Sequence, residues 1–206
     1  MNATKYLVAS AVLAVSAAAV AAPVGSWNVG VGVAHVAPKS GTSPLANNTI
    51  RAGVDSNTQP SLTAEYMVAP NVGAEILLAT PFKHDINLQA DAARINAETK
   101  HLPPTVSVNY HFNDLHPTIK PYAGLGLNYT TFFSEKIAIP NAKLELKDSF
   151  GVAVQAGVDY NFTPTDAVRL NVRYIDIATD VKLNGNKIGT VDINPMVYGL
   201  AYVKTF

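Results

Sequence analysis

The chain has 206 residues, a formal net charge of zero and only 15% charged residues, so no basic field marks it for nucleic acid. It contains no cysteine, which excludes disulfides, thiolate chemistry and Cys-based zinc sites. The length suits one domain.

The first segment, MNATKYLVASAVLAVSAAAVAA, carries one cation, Lys5, then an apolar run from Tyr6 to Val20 and small residues. That is the plan of a secretory signal peptide, expected to occupy residues 1–21 with cleavage within a residue or so of Ala21. A membrane anchor competes with this reading, but the run is Ala-rich, short of about 20 residues, and has no basic flank after it. Past it, no window approaches the roughly 18 apolar residues of a spanning helix. If the mature chain, 22–206, crosses a membrane, it does so with strands.

The remainder reads as short segments of period two separated by turn signals, the pattern of an all-β sandwich or barrel. Eight strands are predicted: Trp27 to Val36, Gln59 to Val68, Val72 to Ala79, His101 to Phe112, Thr118 to Phe133, Ser149 to Phe162, Ala167 to Ala178 and Val191 to Phe206. Short turns at 69–71, 113–117 and 163–166 alternate with long loops at about 37–58, 80–100 and 134–148 and a shorter one at 179–190 containing Asn184-Gly185. Short turns on one side and long loops on the other are the layout of an antiparallel eight-stranded outer-membrane β-barrel. Both termini then lie on the periplasmic side. LELKDS (144–149) and DAARINAE (91–98) are expected to be solvated loops or short outer structure.

The faces of the strands decide between lipid and water. The sixth strand places Phe150, Val152, Val154, Ala156, Val158, Tyr160 and Phe162 on one face, against Gly151, Ala153, Gln155, Gly157, Asp159 and Asn161 on the other. A soluble lipocalin-like barrel alternates in the same way, with its apolar face inward. Here the apolar faces begin and end in aromatics such as Trp27, Tyr66, Phe112, Phe133, Phe150 and Phe206, as interfacial girdles require. The polar faces are rich in Gly and Asn, with little of the Lys and Glu of a solvated sheet. The membrane reading is therefore preferred.

On this assignment Glu65, Glu75, Lys120, Asp159, Arg169 and Arg173, with His111, point into the periplasmic half of the lumen and are expected to form a structural ion network. Glu65 and Glu75 lie equidistant from the 69–71 turn and must repel unless a cation intervenes. Asp159 and Arg169 bracket the 163–166 turn and should pair. In the outer half, Leu77, Phe132, Ile175, Ile177, Val191, Ile193 and Pro195 are the expected apolar lumen lining, suited to a small apolar ligand entering from outside. Ordinary packing, or a one-residue slip that sends them to lipid, is the competing account. Pro103, Pro104, Pro121 and Pro195 lie within strands and each removes a ladder donor. Pro103 and Pro104 mark a candidate lateral seam through which an apolar solute leaves into the bilayer; a shaping bulge is the milder reading.

Little else suggests chemistry. His101 and His111 share a face but stand ten residues, roughly 33 Å, apart, and no other histidine has a second ligand at close spacing. No phosphate-binding or nucleophile motif is present, and the GLG of 124–126 lies within a strand. No enzyme activity, metal or cofactor is expected.

Five segments, GSWNVGVGVAHVAP (25–38), KHLPPTVSVNYHF (100–112), IKPYAGLGLNYTTFF (119–133), VDYNFT (158–163) and NPMVYGLAYVKTF (194–206), resemble in order the outer membrane protein W (OmpW) family. The resemblance implies an eight-stranded barrel with a hydrophobic upper lumen, implicated in uptake of small hydrophobic molecules, and through KHLPP a lateral exit. It also implies that Phe206 is the terminal aromatic read by barrel-assembly machinery. Family members often end in aromatic-Arg-Phe, whereas Lys204 and Thr205 precede Phe206 here. The resulting expectation is a bacterial outer-membrane barrel whose partners are lipid, small hydrophobic solutes and, during biogenesis, the assembly machinery. The alternative is a closed structural or adhesive barrel acting through its outer loops. Lys204 faces lipid in this register and is tolerable only where it can snorkel to the interface.

Overall fold

The computed structural model describes residues 22–39, 43–46, 49–90 and 93–206; the expected signal peptide, 1–21, lies outside them. Among the described residues, eight strands close into an antiparallel barrel. In chain order the strands are β1 (Trp27–Ala37), β2 (Ser43–Leu45), β3 (Ile50–Val54), β4 (Asn57–Ala69), β5 (Val72–Ala79), β6 (Phe82–Ala90), β7 (Ala93–Leu102) and β8 (Thr105–His111). They continue with β9 (Ile119–Ile137), β10 (Leu144–Leu146), β11 (Ser149–Asn161), β12 (Asp166–Ile175), β13 (Ala178–Leu183), β14 (Asn186–Asp192) and β15 (Met196–Thr205). The barrel wall runs β11-β12-β15-β1-β4-β5-β8-β9 and closes through β9 against β11.

The last strand has its neighbours built in: β15 lies between β1 and β12, and the Trp27 and Phe206 backbones exchange hydrogen bonds of 3.1 and 2.9 Å. Lys204 stands opposite Asp166 in the β12–β15 register, beside the 163–166 turn. Its ammonium donates to both Asp166 carboxylate oxygens at 2.9 and 3.1 Å and to Thr165 Oγ1 at 2.9 Å. The lysine thus sits at the periplasmic rim.

Alternation sets the two faces. Outward side chains such as Leu125 (68% exposed) and Phe150 (70%) are uncovered by protein, while the inward set is buried. Outward aromatics gather at two heights. Trp27 and Tyr66 are register partners near the short turns, with Tyr160, Tyr202 and Phe206 at that end. Tyr129 pairs with Phe150 near the other end, where Tyr174 and Tyr198 also lie. From Tyr160 to Phe150 is ten residues; at about 3.3 Å per residue and a tilt of about 40° this spans roughly 25 Å, the height of an outer-membrane apolar band.

The outer connections, read as loops from the sequence, carry strands: β2 and β3 in the first, β6 and β7 in the second and β13 and β14 in the last, while the one between β9 and β11 carries only the three-residue β10. β6 pairs with β7, β7 with the upper half of β9, β3 with β6 and β2 with β3, while β10, β13 and β14 form a second small sheet. The Ala46 amide donates to the Ile188 carbonyl at 2.7 Å, tying the strand-β2 side of this tier to β14. The β13–β14 turn uses Asn184 and Gly185, both at positive φ, the conformation an Asn-Gly hairpin favours. The barrel wall therefore continues outward as a second tier above the membrane band.

Two predicted strands are interrupted at prolines. The fourth divides at Pro103-Pro104 into β7 and β8, and the eighth divides before Pro195 into β14 and β15. None of these three prolines can donate to a ladder.

Candidate functional site

The periplasmic half of the lumen is filled by an ion-paired plug. Glu65 and Glu75 are register partners across β4 and β5, with 0% and 2% of their surface exposed. Arg169 bridges them, Nη2 to Glu65 Oε2 and Nη1 to Glu75 Oε2, both at 3.0 Å. The same guanidinium grips Asp159 through Nε and Nη2 at 2.7 and 2.8 Å. Arg173 donates to Glu75 at 2.7 Å, and His111 Nε2 donates to Glu65 at 2.7 Å. Asn109 and Gln155 fill the remaining acceptor sites: Asn109 Nδ2 meets Glu65 at 2.8 Å and Gln155 Nε2 meets Glu75 at 3.1 Å.

Lys120 stands apart from this network. It is buried opposite Asp159 in the β9–β11 register, yet its ammonium donates to the Asn113 carbonyl in the neighbouring turn. Both Asp159 oxygens accept from the Arg169 fork. The sequence reading also passed over Tyr122, whose buried ring lies 4.6 Å beneath the Arg169 guanidinium. Gly157 makes the space for it, since a Cβ there would lie 2.5 Å from the ring. A second glycine, Gly73, does the same for Glu65, whose Oε1 would lie 2.4 Å from its Cβ.

Above the plug the lumen turns apolar. A cavity of about 30 Å³ is walled by residues including Leu45, Ile86, Leu88, Phe132, Val181, Val191 and Ile193. Of the residues named from the sequence, Phe132, Val191 and Ile193 line it, and Ile175 and Ile177 are buried in the same apolar cluster. Leu77 instead borders a smaller void of about 20 Å³ alongside Arg169 and Arg173, and Pro195 is buried at the foot of β15.

The contribution of β6 to this chamber was missed. Phe82, His84, Ile86 and Leu88 are buried, while Lys83, Asp85, Asn87 and Gln89 are exposed. His84 and His101, far apart in sequence, stack at 4.8 Å between ring centroids, with Phe82 5.4 Å from His101 and Phe132 5.8 Å from it. Burial pushes the His84 imidazole below its ordinary pKa, so the ring is neutral. On the outer surface of the tier, Lys83 and Lys136 each hold Glu98 at 2.7 Å, chiefly through hydrogen bonds that lower its pKa to about 2.

The wall beside the chamber is interrupted. The β5–β8 ladder ends at Leu77 and Thr105, and the β6–β7 ladder begins at Phe82 and His101. Between them, residues 78–81 face 102–104 without ladder pairs. On the β9 side the gap is stitched: Asn128 Nδ2 donates to the Pro103 and Pro104 carbonyls, each at 3.1 Å, and the Tyr129 amide donates to Pro104 at 3.1 Å.

A sequence model of the OmpW family matches residues 24–206. The chain belongs to the OmpW family. Outer membrane protein W of Vibrio cholerae is 38% identical over 205 residues, spanning 92% of this chain and 94% of that protein. The crystal structure of the outer membrane protein OprG from Pseudomonas aeruginosa superposes with a TM-score of 0.81 at 30% identity, covering 91% of this chain and 99% of that one. The solution structure of the Escherichia coli protein W gives a TM-score of 0.64 at 36% identity, covering 88% and 98%. This OmpW-family barrel is an outer-membrane protein, with its aromatic belts at the two lipid interfaces.

Proposed function

We propose that this barrel admits small hydrophobic molecules from outside into the apolar chamber and releases them sideways into the outer membrane, performing no chemistry on them. The observation that carries this reading is the stacking of two unlike layers in one lumen. An apolar chamber attracts an apolar solute by removing its surface from water, and the plug of Glu65, Glu75, Asp159, Arg169 and Arg173 beneath it denies an axial route. The unladdered stretch at Pro103-Pro104 adjoins the Phe82–His101 wall of the chamber and offers the lateral route.

The mature barrel is taken as residues 22–206 after removal of the 1–21 leader, with Phe206 as the aromatic presented to the assembly machinery. A closed barrel acting through its outer strands is the second reading, favoured by the narrowness of the chamber: at about 30 Å³, a solute has to part its side chains. Vesicles separate the two. Protein-dependent transfer of an octane-like solute is expected for uptake, and no transfer above protein-free vesicles favours the closed barrel.

A further inference from the structure

Among the described residues, the chamber wall carries a fully buried polar atom without a partner. His84 is 2% exposed and lines the cavity, and its Nε2 is buried with no hydrogen-bond partner among the described residues. Its other nitrogen, Nδ1, contacts the backbone carbonyl of Asp55. A carbonyl only accepts, so Nδ1 carries the proton, and in a neutral ring Nε2 is then a bare acceptor. His101 cannot satisfy it, because the two rings lie nearly parallel, 13° apart, and present faces to each other. The two threonine hydroxyls on the wall are committed as donors, Thr99 to the Lys100 carbonyl at 3.3 Å and Thr179 to the Lys147 carbonyl at 2.6 Å. Burying an acceptor without a donor costs free energy that a suitable ligand recovers.

We infer that His84 Nε2 accepts a hydrogen bond from the solute, so that the chamber selects small aliphatic molecules bearing a hydroxyl, such as medium-chain alcohols, over bare hydrocarbons. This rests on the uptake reading and narrows it. The alkyl chain lies against Ile86, Leu88, Phe132 and Val191, and the hydroxyl donates to the imidazole. A ketone of the same length has an acceptor only and gains nothing from Nε2. One net hydrogen bond is worth about 3- to 10-fold in affinity.

The test uses the full barrel in lipid nanodiscs, titrated with 1-octanol, octane and 2-octanone, with the ¹⁵N resonances of the His84 ring and the flux of each solute as readouts. The expected result is a titratable shift of Nε2 with 1-octanol alone and about 3- to 10-fold preference for 1-octanol over octane after correction for lipid partitioning. His84→Phe is expected to abolish that preference, read as the ratio of 1-octanol flux to octane flux in the same nanodiscs. If octane and 1-octanol enter equally well, or the preference survives His84→Phe, the hydroxyl site is overturned and the uptake reading stands. If neither enters, both fall. Should His84→Phe fail to fold, the wild-type Nε2 resonance decides: unmoved by saturating 1-octanol, it overturns the inference.

Discussion

Glu65 and Glu75 face each other across β4 and β5, and a single guanidinium from β12 satisfies both. The arrangement answers the repulsion that two buried carboxylates would suffer. Removing a partner from a buried charge network strands the others without water, which costs about 3–5 kcal/mol. Arg169→Met is therefore expected to lower barrel stability by about that amount in denaturant unfolding from detergent micelles. Adding Glu65→Gln and Glu75→Gln to that variant should recover part of the loss, because the stranded charges are gone.

Tyr122 makes the opposite prediction. Its hydroxyl is buried without a hydrogen-bond partner while its ring supports Arg169. Tyr122→Phe keeps the ring and removes the unsatisfied group, so the variant is expected to unfold at equal or higher denaturant, by up to about 1–3 kcal/mol. Gly157→Leu, which drives a side chain into the same ring, should instead cost about 1–3 kcal/mol.

The seam can be examined from both flanks. Asn128→Leu removes the donor that covers the Pro103 and Pro104 carbonyls, and is expected to cost about 1–3 kcal/mol in the same unfolding measurement. Replacing Pro103 and Pro104 with Val restores donors to the gap and should slow solute transfer into the bilayer without loss of folding. Unchanged transfer by a well-folded variant would remove the lateral route.

Much of the fold was legible because the membrane-spanning strands obey one rule, period two with lipid outside. Glu65–Glu75 and Asp159–Arg169 were readable because each pair brackets a short turn, and turn length fixes register. The outer tier was harder. FKHDINLQA alternates cleanly, but its outward residues are charged or polar because they meet water, so it read as a loop. The proximity of His84 and His101 depends on the β6–β7 register across a long hairpin, which local spacing does not reveal. Lys120 was expected in the ion network, but its ammonium donates to the Asn113 carbonyl in the neighbouring turn, a contact that strand register alone does not reveal.

The outer tier carries a pH dependence. Glu98 is held by Lys83 and Lys136, and its folded pKa lies near 2, below the usual carboxylate value of 4.5. A depressed pKa means the contribution is present above pH 4.5 and is lost as pH falls toward 2. Amide exchange in the β6–β7 hairpin is expected to quicken over that window, and Glu98→Gln or high salt should flatten the response.

The central claim, that an apolar solute occupies the upper lumen above a sealed plug, is tested most directly by anomalous diffraction from crystals soaked in 1-bromooctane. The predicted result is bromine density within the chamber bounded by Phe132, Val191 and Ile193, with none below the Glu65–Arg169 layer. Bromine found along the plug axis, or absent from the chamber while vesicle transfer proceeds, would contradict the account.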